Sequence, residues 1–343
     1  MKYMLASPEK LRRDLLQALG TASAPRKRFL VDLDRYQLAR NPILRRWRSS
    51  GGRALPIIAF RESVVSCLAP QQRNAWFESS GTSGNVVSRH YFQSPDVYRS
   101  SVVAGWKWQM QERGMKLQPS TFVGIMPSFC ENPHSSLSCM VDVLMKEFGN
   151  GHGFWAMKKN RWDWNGLRSR IQRSMKHPLV LFGTAFGWVH FLDWCDGRRL
   201  RFHLPPGTLV LETGGYKGRS RELKRDELHR SLSCLLGLRR QQIISEYSMC
   251  ELSSQAYSFP GRKGRTIFRF PPWCRHHIAG TGTVSAANGG TAGVLEIHDP
   301  ANLDSCAWIR TGDMAVGRGN GFELAGRVPS AGLKGCSLAF EDS

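Results

Sequence analysis

The densest run of chemically useful residues in the chain is Ser79, Ser80, Gly81, Thr82, Ser83 and Gly84, six consecutive positions that follow Phe77-Glu78. Glycine admits positive φ and lets backbone approach a ligand closely. Successive backbone N–H groups, together with Ser and Thr hydroxyls, can wrap an anion such as a phosphate. No Lys-Ser or Lys-Thr pair follows Gly84, so the stretch is not the G-x-x-x-x-G-K-[ST] phosphate loop. A Ser/Gly-rich solvent loop has the same composition, and the remaining sequence must decide between the two.

Four further stretches carry candidate groups: Glu212-Thr-Gly-Gly-Tyr-Lys217, Tyr247-Ser-Met-Cys-Glu251, Arg310-Thr-Gly-Asp313 and Gly326-Arg327. Each has an ordinary alternative. Asp313 can cap a turn, Glu251 can cap a helix or meet one of many arginines, and Arg327 can be a surface ion pair. The aromatic run from Phe186 to Trp194 suits a packed core as well as a pocket. Cys274, His276 and His277 fit no common zinc spacing and read as strand or surface residues.

The elements that must position these groups follow from periodicity and punctuation. Ser7 and Pro8 start a helix over 7–20 with Leu11, Leu15, Leu16 and Leu19 on one stripe. A second, basic helix is expected over 34–49, broken by Ser50-Gly51-Gly52, and a strand over 55–60. Helices follow over 94–112, 139–148, 164–175, 186–194 and 225–236, with strands over 121–126, 179–182, 209–212 and 243–247. The Ser/Gly stretch is expected between a strand and a helix, where phosphate sites tend to form. This alternation predicts an α/β fold with a largely parallel sheet. After residue 265, short strands and Gly turns predict a β-rich part, with strands over 266–270, 293–298, 306–310 and 321–324. The expected organisation is a helical extension (1–60), an α/β core (61–264) and a β-rich subdomain with a tail (265–343).

Composition bounds the function. Of 343 residues, 41% are hydrophobic, with 11 Trp and 17 Phe, which is enough for a sizeable core. The formal net charge of +21 favours anionic partners. The basic residues are scattered doublets such as Arg12-Arg13 and Arg239-Arg240, and no nucleic-acid module is recognisable, so nucleic acid is not expected as a partner. Nine cysteines, odd in number and without C-x-x-C, read as reduced thiols of a cytoplasmic protein. The most apolar segment, 178–194, contains His190 and Asp193 and is too mixed for a transmembrane span.

The ordered set of Ser/Thr-Gly loop, Y-x-x-x-E, T-G-D and G-R resembles the adenylate-forming superfamily of acyl ligases. Within it the chain is similar to the long-chain acyl-protein synthetase family, over roughly residues 60–340. The stretches that carry this include Met126-Pro-Ser with Ser135-Ser-Leu, Phe270-Pro-Pro-Trp273, Asp299-Pro-Ala-Asn-Leu303 and Gly335-Cys336-Ser-Leu338. Phenylacetate-CoA-ligase-like enzymes are more distant relatives. The resemblance implies that a fatty or aryl carboxylic acid is activated by ATP as acyl-AMP, with release of pyrophosphate. On that basis Ser79, Ser80, Gly81, Thr82, Ser83 and Gly84 would hold phosphates, Glu251 would ligate Mg2+, and Asp313 would bind the ribose. Gly214, Gly215 and Tyr216 would line the adenine. Arg327 and Lys217 would face phosphate or carboxylate, and Gly183, Thr184, Phe186 and Gly187 would line the acyl tunnel. Cys336, flanked by Lys334, would carry the acyl group as a thioester for delivery to a reductase; the alternative for Cys336 is an inert thiol.

Two departures from the family pattern stand out. Asn85 and Val86 follow Gly84 where Pro-Lys is usual, and the chain stops soon after Gly326-Arg327, so the small C-terminal domain and its lysine are expected to be absent. Two rival readings therefore stand beside the first. One is ligation to CoA or an acidic acyl carrier protein, and the other is a catalytically dead nucleotide-binding scaffold.

Overall fold

The structure, a computed structural model, describes residues 5–79, 87–174, 177–214, 223–261, 264–285 and 291–328. It comprises two compact units, Met1–Gln109 with Ser248–Ser343, and Met110–Tyr247.

The first unit opens with helix α1 (Pro8–Gly20), whose N-cap Ser7 accepts from Lys10 N and whose Leu11, Leu15 and Leu19 are buried on one face. Where one helix over 34–49 was expected there are two, α2 (Lys27–Arg40) and α3 (Pro42–Ser49). The cause is Pro42, which disfavours helical backbone at the residue before it. Asn41 is accordingly extended (φ −103°, ψ 104°), and its side chain caps α3 by accepting from Leu44 N. The strand expected over 55–60 shrinks to β1 (Leu55–Pro56), and α4 (Ala59–Glu62) follows directly. Pro56 has no N–H to extend a ladder.

Next come β2 (Ala75–Glu78) and β3 (Arg89–Phe92), an antiparallel pair, and then α5 (Asp96–Glu112). The Ser/Gly stretch thus connects two strands of a hairpin, not a strand and a helix.

The second unit holds β4 (Thr121–Pro127), α6 (Ser136–Phe148), β5 (Phe154–Lys158), β6 (Arg161–Trp162), α7 (Trp164–Arg173), β7 (Leu179–Thr184), α8 (Ala185–Asp196), β8 (Leu209–Thr213), α9 (Arg225–Leu236) and β9 (Ile243–Tyr247). Its strands run in the order β9-β8-β7-β4-β5-β6, parallel from β9 through β5, with β6 antiparallel. Strands such as Leu179-Val-Leu-Phe are apolar throughout because both faces of a parallel sheet are covered. Trp188 and Phe191 of α8 pack with Leu181 and Val210 in the core.

The chain then returns to the first unit through β10 (Ala256–Pro260), β11 (Thr266–Arg269), β12 (Arg275–Ser285), β13 (Thr291–His298), β14 (Trp308–Arg318) and β15 (Gly321–Arg327). Their order is β12-β13-β14-β15-β11-β10, with the β12–β13, β13–β14, β14–β15, β15–β11 and β11–β10 pairings all antiparallel. β1 pairs parallel with β14 through Leu55↔Ile309. Among the described residues, no helix is long and apolar enough to cross a membrane.

Candidate functional site

The β2–β3 hairpin is closed one pair beyond its strands. Ser79 N donates to Ser88 O (3.0 Å), and Ser88 N donates to Ser79 Oγ (2.9 Å). Below that pair, Arg89 Nε meets Glu78 Oε1 at 2.9 Å, and Trp76 Nε1 donates to the same oxygen. Both ends of the Ser/Gly connection are therefore fixed. Ser80, Gly81, Thr82, Ser83 and Gly84 lie outside the described residues.

From the base of this loop, the Ser88 hydroxyl bonds the carboxyl of Glu251, which is 5% exposed. Burial pushes the Glu251 carboxyl above the usual carboxylate range, and the Ser88 bond, its own backbone N–H and the charge of Arg327 only partly oppose that. The backbone around it is held from two sides. Asn302 Nδ2 donates to Glu251 O (2.8 Å), and His90 Nδ1 lies 3.2 Å from Cys250 O. A carbonyl only accepts, so neutral His90 carries its proton on Nδ1, and Nε2 accepts from Ser305 Oγ at 2.7 Å. Burial pushes the His90 pKa down to about 4.

Asp313 and Arg327 are directly opposed in the β14–β15 pair, with Nε to Oδ1 at 3.0 Å. The Asp313 side chain is 11% exposed and that of Arg327 81%. Gly326 takes φ +119°, a conformation that side chains rarely adopt. The T-G-D and G-R stretches, separate in sequence, thus meet across one hairpin.

In the second unit, Thr184 caps α8 by accepting from Gly187 N at 3.0 Å. A Cβ at Gly183 would lie 2.6 Å from Trp188 Nε1, and one at Gly187 would lie 2.6 Å from Ile125 O. Close packing therefore requires both glycines. Phe186 is half-buried, edge-on to His190 at 4.4 Å. Gly214 ends β8 at φ +72° with no atom within 4 Å of a Cβ, so conformation and not space selects glycine there. Gly215, Tyr216, Lys217 and Cys336 lie outside the described residues.

Sequence reasoning missed how β8 is anchored beside Gly214. Glu212 Oε2 is 3.1 Å from His229 Nε2 and accepts from Ser245 Oγ at 2.9 Å, with Arg225 Nε at 3.8 Å. Burial raises the Glu212 carboxyl, but the His229 bond, the Arg225 charge and the Ser245 bond outweigh it and leave it below its ordinary value. Thr213 Oγ1 also donates to Glu246 Oε2. A glutamate inside the otherwise apolar Leu209-Val-Leu was the available signal.

Among the described residues, no group of three or more His, Cys, Asp or Glu could hold a metal. Mg2+ in nucleotide sites is commonly held by one or two carboxylates together with phosphates and water. The hard oxygens of Glu251 and Ser88 fit that requirement.

A search of curated proteins finds no match. Solved structures do match. A 2-hydroxyisobutyryl-CoA ligase in complex with 2-HIB-AMP and CoA aligns in its thioesterification state with TM-score 0.61 and 13% identity, over 95% of this chain and 70% of that one. Its open conformation gives 0.60 and 13%, over 86% and 72%. McyG A-PCP complexed with phenylalanyl-adenylate gives 0.51 and 14%, over 76% of this chain and 48% of that one, so this chain spans about half of that protein. At these identities the likeness establishes the fold, that of adenylate-forming enzymes. The family described as acyl-protein synthetase, LuxE, matches residues 54–343, and the chain belongs to that family.

Proposed function

We propose that this protein condenses a carboxylic acid with ATP to give acyl-AMP and pyrophosphate, then transfers the acyl group to a thiol. The observation that carries the reading is Glu251: a buried carboxyl, incompletely compensated, bonded to Ser88 at the base of the Ser/Gly connection and lying within the family-matched segment. Adenylation needs such a group to face a Mg2+–triphosphate.

In the first step, a substrate carboxylate oxygen bonds to the α-phosphorus, and the bond from that phosphorus to the β-bridging oxygen breaks. Pyrophosphate leaves with that electron pair. Backbone N–H groups and hydroxyls of Ser79, Ser80, Gly81, Thr82, Ser83 and Gly84 bind the β- and γ-phosphates. Mg2+, when bound, neutralises phosphate charge, and Glu251 with Ser88 would hold it. Asp313 accepts from the ribose hydroxyls, sharing its second oxygen while Arg327 holds the first. Gly214, Gly215 and Tyr216 line the adenine, and Lys217 and Arg327 face the anionic reactants. Gly183, Thr184, Phe186 and Gly187 border the acyl chain. In the second step the Cys336 thiolate bonds to the acyl carbon and AMP leaves; the thiol proton has already passed to solvent. A reductase in the cytoplasm then takes the fatty or aryl acyl group.

The +21 charge favours a second acceptor class, CoA or an acidic carrier protein. Labelling with ATP, Mg2+ and a radioactive fatty-acid panel, followed by a denaturing gel, separates the two. Hydroxylamine-labile label on wild type and none on Cys336→Ser supports the thioester. Equal label on both removes Cys336. Acyl-AMP without protein label assigns the acceptor to CoA or a carrier. No acyl-AMP and no pyrophosphate exchange with any acid leaves only a nucleotide-binding scaffold.

A further inference from the structure

The family match begins at residue 54, so α1–α3 precede it. A helical extension that merely covered a core would need only apolar contacts. This one also sends buried amide side chains into a single turn. Gln37, 2% exposed, donates from Nε2 to Asn302 O (2.8 Å) and accepts at Oε1 from Ala307 N (3.0 Å). Asn41, fully buried, donates to Ser305 O at 3.1 Å.

The far side of the same turn grips the segment after Glu251. Asp299 Oδ2 accepts from Ser253 N (2.9 Å) and Ser254 N (2.8 Å), and Asn302 Nδ2 donates to Glu251 O (2.8 Å). One residue, Asn302, therefore takes a bond from Gln37 on its backbone and gives one to Glu251 from its side chain. Both ends of the Gln37 amide and of the Asn41 amide are bonded, and a buried amide satisfied in this way specifies one arrangement.

We infer that the helices preceding the family-matched region are a positioning element for Glu251, with Gln37 acting through Asn302. The inference rests on the reading of Glu251 as the residue that meets Mg2+–ATP. Groups supporting a metal ligand are worth about 10–100-fold in metal affinity or activity.

The test uses the full chain carrying Gln37→Met, which keeps the volume and removes the bonds. Leu19→Ala serves as a control on the same extension, since Leu19 is buried on α1 and makes no polar link to the turn. Two quantities are read: the Mg2+ concentration for half-maximal pyrophosphate exchange, and the calorimetric ATP affinity in Mg2+ against EDTA. Gln37→Met should raise the Mg2+ requirement about tenfold and weaken ATP binding only when Mg2+ is present. Leu19→Ala should lower the melting temperature without either change. Equal shifts in both variants, or none in Gln37→Met, overturn the inference. If Gln37→Met does not fold, Arg12→Ala, which removes the 3.2 Å pair to Asp304 of the same turn, is judged by the same criterion. Glu251→Gln is run alongside. Unchanged Mg2+ dependence in that variant removes the reading of Glu251 itself, whatever Gln37→Met does.

Discussion

The buried imidazole of His90 makes the stability of the first unit depend on pH in a calculable way. In the unfolded chain the ring takes a proton near pH 6.5, whereas in the folded chain it does so only near about 4. Between those values the unfolded state binds more protons, so stability is complete above 6.5 and falls as pH falls through the window. At pH 5 the difference is close to one proton, and integrating from pH 7.5 gives a loss of about 2 kcal/mol from this residue. His298, also held at about 4 by burial with Arg275 and Arg53 nearby, adds a loss of similar size. Replacing His90 by Gln should cost stability at pH 7.5, because the bonds to Cys250 O and Ser305 Oγ are disturbed. It should also remove about 2 kcal/mol of the further loss on going to pH 5. Urea unfolding of wild type and variant at both pH values measures the difference, and NMR titration of the folded wild type locates the imidazole directly. If the variant loses as much stability as wild type between pH 7.5 and 5, or if the folded ring titrates near 6.5, the account of His90 as a neutral Nδ1–H tautomer is wrong.

Glu251→Gln should lower pyrophosphate exchange by at least about a hundredfold while leaving thermal stability at pH 7 equal to wild type or higher. A carboxyl raised by burial favours the folded state below its unfolded pKa, and that contribution is lost as pH rises through the folded value. A melting temperature clearly below wild type would contradict this. Gly183→Ala would drive a methyl to 2.6 Å from the Trp188 indole, whose Nε1 donates to Leu211 O. About 1–3 kcal/mol of destabilisation by urea titration is expected, and an unchanged midpoint would show that the indole can yield.

The sequence was most legible where a local signal sufficed. α9 over 225–236 and β9 over 243–247 have the bounds that periodicity predicts, because their apolar patterns begin and end at clear punctuation. β5 and β6 were missed because their connecting turn uses Lys159 (φ 48°) and Asn160 (φ 58°) with no glycine to announce it. β12 was missed because Arg275-His-His-Ile-Ala-Gly is polar and glycine-rich, and its pairing to β13 is what makes it a strand. Motif order singled out Glu251, Asp313 and Arg327. Ser88, His90 and Gln37 carried no local signal, since the contacts that give them meaning span more than 150 residues of chain. Asn302 lies in the Asp299-Pro-Ala-Asn-Leu303 stretch, but its bond to Glu251 O crosses 51 residues and could not be read from that stretch.

Two glutamates show why residue type alone falls short. Glu212 and Glu251 both follow strand-forming sequence, and both are about 95% buried. Water is withdrawn from each at a similar cost, so their difference comes from what replaces it. Glu212 has His229, Arg225 and Ser245 at hand, and its charge is satisfied within the fold. Removing it would take a shared partner from His229, Ser245 and the Arg225 guanidinium, not free a site. Glu251 has one hydroxyl, its own backbone and a largely exposed arginine, and its carboxyl remains above the ordinary range. A carboxyl left short of positive charge is the one that gains most from a cation brought by a ligand. The same physics that marks Glu212 as part of the scaffold leaves Glu251 short of positive charge, and on the proposed function the Mg2+ of a bound nucleotide would supply it.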